Sequence, residues 1–128
     1  MASRYVFAKM LYHDGFIDDI MYKIYESMFN PFIELYNPTH MIYLHVEPEI
    51  CYNRITKRQR DGENSISIEY LQKCQDYYND WIENENFKLP ILRITGNEDA
   101  MYQVGDDTDI GNVWVQQVIT FIEEQQQM

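Results

Sequence analysis

Two short aliphatic segments constrain the fold of this chain most, because helical sequence lies between and around them. The first covers residues 41–46 and the second residues 89–94. Strands that are separated along the chain by helices typically pair in parallel and are covered by those helices. The sequence therefore predicts an α/β fold with two parallel strands and about five helices. A sheet of two strands has two unpaired edges, so these strands are expected to be part of a larger parallel sheet.

The predicted helices differ in the clarity of their signals. Apolar residues repeat at three- and four-residue spacing across residues 17–36, which predicts a helix whose apolar stripe belongs to the core or to a partner surface. Pro31 is expected to kink or interrupt this helix. Pro48 favours the start of a helix that runs to about Arg60, and Ser67 is a suitable cap for the next one. Further helices are predicted over residues 4–13 and 112–124.

Composition excludes several classes of protein. The net charge of −11 argues against binding to a nucleic-acid polymer. No segment approaches the roughly 20 apolar residues of a membrane span. Cys51 and Cys74 lie on apolar helix faces and are predicted to be buried free thiols, which favours a reducing, cytoplasmic location. The histidines and cysteines do not have the spacing of a metal site.

A basic cluster stands out on this acidic chain. Four of its ten basic residues lie within seven positions, namely Arg54, Lys57, Arg58 and Arg60. The first three share one face of a helix. Guanidinium groups bind phosphate well because their paired donors match its oxygens. The alternative is a solvated basic helix end, which the helix dipole would favour.

Three segments in this order resemble the deoxynucleoside kinase family, whose members transfer the γ-phosphoryl group of a nucleoside triphosphate to the 5′-hydroxyl of a deoxynucleoside. They are residues 3–12, residues 41–60 and residues 68–71, with Trp81 downstream. The resemblance implies that residues 1–128 form the C-terminal part of a P-loop-kinase-like domain. It also implies a lid at about residues 54–66.

The resemblance implies roles for residues of the lid and of the loop after the second strand. Arg54, Arg58 and Arg60 match lid arginines that the family brings over the triphosphate, and Arg58 also matches a residue that covers the donor's base. Glu63 matches a lid glutamate that accepts a hydrogen bond from the sugar 3′-hydroxyl. The corresponding donor-base loop contains Asn97, Glu98 and Asp99. Ordinary solvated loop residues remain the alternative for Arg60 and Glu63.

Two residues near the start match the acceptor pocket of the family. Phe7 matches an aromatic residue that packs on the acceptor's base, with simple core packing as the alternative. Ser3 is small at a position where thymidine-accepting relatives also carry a small residue. The resemblance therefore implies a pyrimidine deoxynucleoside, thymidine-like, as the acceptor.

The phosphate-binding loop of the family has no counterpart in this sequence. That loop reads Gly-x-x-x-x-Gly-Lys-Ser/Thr, and none of the five glycines here precedes a lysine. The general base and the Mg²⁺ site of ATP also lie upstream in relatives. We therefore expect the chain alone to be inactive, whether it is a fragment, a late-start product or a decayed paralogue.

The family resemblance also implies a partner, and two other functions remain open as alternatives. The family implies a homodimer formed by the helices that precede the lid strand, here residues 17–36. One alternative is a fragment of a thymidylate kinase, which would need further cations for an acceptor phosphate. The other is a non-catalytic dimerisation or interaction module.

Overall fold

Five α-helices and a two-stranded parallel sheet make up the part of the chain that the computed structural model describes, residues 1–127. The predicted α/β fold class is confirmed. A π-helical segment, Ser3–Ala8, continues directly into the first α-helix. In chain order the elements are α1 (Lys9–His13), α2 (Asp19–Leu35), β1 (Met41–His45), α3 (Pro48–Arg58), α4 (Ile68–Ile82), β2 (Ile91–Thr95) and α5 (Ile110–Gln126).

The sheet has one pairing, in which β1 lies parallel to β2 in a register from Met41 opposite Ile91 to His45 opposite Thr95. Both carboxyl ends therefore lie at the same edge of the sheet. Side chains of β1 alternate between half-buried and exposed, and Leu44 is 56% exposed although it is aliphatic. A cavity of about 640 Å³ borders β1 and α4. Its lining includes every residue from 41 to 46, so it follows the unpaired edge of the strand.

The small core lies where the π-helical segment packs on α4. Its buried apolar side chains are Val6, Ala8, Met10, Ile82 and Ile94. Tyr5 stacks on Trp81 with the ring centroids 5.4 Å apart, which adds aromatic contact to this packing. Helix α4 also packs against α3, so it links the start of the chain to the lid helix.

Helix α2 contributes no buried residue to the core. Arg4 holds it, because its guanidinium donates to Asn30 Oδ1 at 2.7 Å and lies 3.3 Å from Glu26 Oε1. The apolar stripe is largely exposed; its exposed members are Ile20, Met21, Ile24, Met28, Phe32 and Leu35. Of the two alternatives that the sequence left open, core or partner surface, the described residues do not support core. Arg4 and Tyr12 contact α2 on another face, at Glu26, Asn30, Asp19 and Tyr22.

Several element boundaries differ from the prediction. Helix α2 continues past Pro31. The carbonyl that loses its usual donor to Pro31 belongs to Ser27, which is an exposed residue. Helix α3 ends at Arg58 because Gln59 adopts a left-handed conformation (φ 50°). Helix α5 begins two residues earlier than predicted, since the Asp109 side chain caps it, and it extends to Gln126. The strands begin at residues 41 and 91.

The two cysteines are free thiols, as predicted, but each is half-buried rather than buried. Burial raises the pKa of both thiols above the ordinary value, so neither is activated as a nucleophile. Among the described helices, none is both long enough and apolar enough to cross a membrane.

Candidate functional site

The lid residues converge on one carboxylate. The left-handed turn at Gln59 reverses the chain at the end of α3 and returns Glu63 to the helix. Arg58 Nη2 donates to both Glu63 oxygens at 2.7 and 2.6 Å, and Arg58 Nε donates to Oε2 at 3.2 Å. Arg60 Nη1 lies 3.7 Å from Glu63 Oε1. Two cationic groups and the predicted sugar-binding carboxylate therefore occupy the same small region.

The two members of this pair differ in exposure. The Glu63 side chain is 19% exposed, whereas that of Arg58 is 52% exposed. Glu63 also borders a cavity of about 450 Å³ between α3 and the lid. The remaining lining residues are Tyr52, Ile55, Thr56, Gln59, Asn64 and Ile66. The carboxylate can therefore accept from a hydroxyl in this cavity, while the arginines face solvent and are open to an anion.

The third lid arginine has a different environment. Arg54 lies one helical turn before Arg58, and its guanidinium donates to the loop that follows β2. The acceptors are the carbonyls of Gly96, Asn97 and Glu98 and the carboxylate of Asp99. The predicted donor-base residues therefore contact α3 through Arg54. They lie at the carboxyl ends of β1 and β2, where parallel α/β sheets usually bind ligands.

Phe7 lies in an aromatic group with Tyr78 and Tyr43. Its ring meets Tyr78 edge-on, with centroids 6.2 Å apart, and Tyr78 stacks on Tyr43 at 5.7 Å. Burial raises the pKa of both tyrosines, so their hydroxyls stay protonated. Phe7 is 38% exposed and could therefore still offer ring surface to a base. Ser3 is exposed on the π-helical segment one turn earlier.

Several residues that shape these regions carry no functional signal in the sequence. Only the packing shows that Tyr78 is a neighbour of Phe7 and that Tyr43 stacks on Tyr78. The backbone N–H of Glu47 donates to Asn97 Oδ1 at 2.9 Å, which joins the turns after the two strands. The two predicted strands are parallel, so their carboxyl ends lie at the same edge of the sheet. That shared position was the one signal in the sequence for a contact between Glu47 and Asn97.

The described residues offer no metal cage of their own. Within residues 1–127 there is no group of three or more His, Cys, Asp or Glu side chains that could hold a metal ion. The side chains present therefore do not fit a Mg²⁺ site by themselves.

Comparison with known proteins identifies the family. The deoxynucleoside kinase family model matches residues 1–122. The chain belongs to the deoxynucleoside kinase family. It is 32% identical over 129 residues to a probable deoxycytidine kinase of fowlpox virus, covering 96% of this chain and 53% of that protein.

Cellular members of the family show the same partial coverage. A deoxyadenosine kinase of Dictyostelium discoideum is 36% identical over 94 residues, covering 73% of this chain and 38% of that protein. A deoxycytidine kinase of Bos taurus is 33% identical over 110 residues, covering 77% and 42% respectively. The chain thus spans about half or less of the length of these relatives. The suggested resemblance to the family is confirmed.

Proposed function

We propose that this chain supplies the lid, the sugar-binding carboxylate and the base-stacking ring of an ATP-dependent deoxynucleoside kinase in nucleotide salvage. The observation that carries the proposal is the convergence of Arg58 and Arg60 on Glu63. Phosphoryl transfer depends mainly on positioning the phosphates and neutralising their charge. Arginines at the end of a helix, beside a loop at the strand ends, suit that purpose.

In this proposal each group has a defined task. Arg58 and Arg60 neutralise the polyphosphate of ATP when the lid closes, and Glu63 accepts a hydrogen bond from the 3′-hydroxyl of the deoxynucleoside. Phe7 packs on the acceptor's base, and Tyr78 contacts its ring edge-on. The Arg58–Glu63 ion pair must then loosen on binding, because one guanidinium cannot keep both partners in full.

The chain alone is proposed to be inactive. None of its five glycines belongs to a phosphate-binding loop, and the described side chains do not form a Mg²⁺ site. Mg²⁺ bound with ATP would supply further neutralisation of the phosphate charge. A phosphate-transfer assay with labelled ATP and the four deoxynucleosides checks this directly. Turnover by the chain alone would contradict the proposal.

The acceptor is proposed to be a pyrimidine deoxynucleoside, thymidine-like, because Ser3 leaves space and no charge near Phe7. Saturation-transfer NMR on the chain should then show stronger contact for thymidine than for deoxyguanosine. Equal or weaker contact for thymidine would refute this choice. The thymidylate kinase alternative predicts instead a clear preference for thymidine monophosphate over thymidine, and the comparisons lend that alternative no support.

A homodimer through α2 is proposed as the assembly. The exposed stripe of α2 supports it, since contiguous apolar surface of this kind commonly forms interfaces. Sedimentation should show a dimer that Ile24→Glu converts to a monomer, whereas Lys23→Glu on the neighbouring position should not. If a dimer forms without any nucleotide contact, the non-catalytic interaction module is the better description. The cytoplasmic location stays a prediction.

A further inference from the structure

Arg54 binds a turn of backbone. Its Nη1 donates to Gly96 O at 2.8 Å. Its Nη2 lies 3.2 Å from Asn97 O, 2.9 Å from Glu98 O and 3.1 Å from Asp99 Oδ1. Three successive carbonyl groups therefore point towards one guanidinium. A planar group with several donors can serve such a set of acceptors, whereas an ammonium group cannot span it.

The turn that Arg54 binds, residues 96–99, is fixed against the end of β1 by two further contacts. Gly96 N–H donates to His45 O at 2.7 Å, and Glu47 N–H donates to Asn97 Oδ1 at 2.9 Å. Gly96 is buried, and a Cβ atom there would lie 2.9 Å from Leu44 Cδ1. The turn thus passes close to β1, and Arg54 connects its outer side to α3.

The environments of the three lid arginines separate Arg54 from the other two. The side chain of Arg54 is 38% exposed, against 52% for Arg58 and 67% for Arg60. Arg58 and Arg60 pair with a carboxylate in the lid itself, so they can move together with it. Moving Arg54 onto a phosphate would instead remove the donor from three backbone carbonyls. The contacts with Gly96 and Asn97 are partly buried, so their loss is unfavourable.

We propose that Arg54 is a positioning residue that joins the lid helix α3 to the turn at residues 96–99, and that it does not contact the polyphosphate. The joint fixes the distance between the lid and the turn expected to meet the donor's base. Its importance for nucleotide binding rests on the proposed function, but the joint itself does not. Loss of Arg54 should therefore loosen the turn and leave contact with inorganic polyphosphate largely intact.

Hydrogen exchange measured by NMR on the chain tests the joint. In Arg54→Gln, the amide protons of Glu47 and Gly96 should exchange about tenfold faster, because hydrogen bonds from a charged donor stabilise the turn. Arg54→Lys should restore little of the protection. Arg60→Gln is the matched control, since it removes the same charge from the lid without contact to the turn. Amides of the β1–β2 ladder should keep their rates and report an intact fold.

The proposal would be overturned if the amide protons of Glu47 and Gly96 exchanged no faster in Arg54→Gln than in Arg60→Gln. A second measurement needs no variant and remains informative if Arg54→Gln does not fold. Inorganic tripolyphosphate is titrated into the chain while arginine Nε signals are recorded. The Nε signals of Arg58 and Arg60 should shift, and that of Arg54 should not. A parallel shift of the Arg54 signal would overturn the proposal. If no arginine shifts, the proposed polyphosphate contact fails, and the exchange rates alone decide the role of Arg54.

Discussion

Replacing Glu63 by Gln should strengthen the binding of inorganic tripolyphosphate to the lid. In the unliganded chain, Glu63 competes with phosphate for Arg58 through contacts of 2.6 and 2.7 Å. Tripolyphosphate has no sugar, so the proposed contact of Glu63 with the 3′-hydroxyl does not enter the measurement. Gln keeps the shape of the side chain and removes its charge.

The size of the effect follows from the exposure of the pair. Exposed ion pairs contribute about 0.2–1 kcal/mol, and the Arg58 side chain is 52% exposed, so screening keeps the value in this range. The two-pronged geometry places it near the upper end, at about 1 kcal/mol. Freed from that competition, Arg58 should bind tripolyphosphate up to about fivefold more tightly.

Isothermal titration at low ionic strength measures the change, with Asp61→Asn as the matched control. This control removes one negative charge from the same loop, so any general effect of net charge appears in both variants. The difference between Glu63→Gln and Asp61→Asn isolates the release of Arg58. Equal affinities in the two variants would refute the idea that Glu63 competes with phosphate.

Two further predictions concern the elements that hold the site. Ser67→Ala removes the cap that accepts from Tyr70 N–H at 3.2 Å and should cost about 1 kcal/mol, seen as a fall in Tm of about 4 °C that Ser65→Ala does not cause. The pKa of Asp109 is lowered, because hydrogen bonds from the backbone N–H groups of Gly111, Tyr102 and Met101 outweigh the opposing effect of desolvation. Its stabilising effect should therefore be complete above the ordinary carboxyl pKa of about 3.9 and be lost as the pH falls through the lower folded value. The Tm gap between the unmodified chain and Asp109→Ala should shrink between pH 6 and pH 3, and a gap that stays constant, as expected for Asp107→Ala, would contradict this.

Local signals in the sequence identified most elements of the fold. Ser67 and Pro48 mark helix starts that the structure confirms, because a cap and a missing N–H act within one turn. The two aliphatic runs became parallel strands because the helices between them leave no short connection for a hairpin. Boundaries were less certain, since a single left-handed residue at Gln59 ended a helix that the pattern would extend to Arg60.

The sequence left two interpretations of the apolar stripe of α2 open. Periodicity shows which face of a helix is apolar, but it does not show what covers that face. In the described chain the stripe around Ile24 and Met28 is exposed, since α2 is held through Arg4 on another face.

The lid and the turn after β2 differ in how far the sequence could predict them. Arg58 ends α3 and Glu63 follows five residues later, so a single turn of the chain brings them into contact. The sequence assigned them separate roles and did not predict their ion pair. The contacts of Arg54 span 42 to 45 residues and depend on the register in which β1 and β2 pair. Such contacts require the three-dimensional structure, whereas the contact of Arg54 with the phosphates was implied by the family resemblance.

One measurement tests the central claim that the lid and the ring of Phe7 serve the two substrates of one phosphoryl transfer. A molecule in which adenosine and thymidine are joined through five phosphates carries the groups proposed for both regions, and NMR follows its titration into the chain. We expect saturable shifts of Arg58, Arg60 and Phe7 with a Kd on the order of 1 mM, as befits a site that lacks its phosphate loop. Shifts confined to other parts of the chain, or the absence of any shift at 10-fold higher concentration (about 10 mM), would contradict the account.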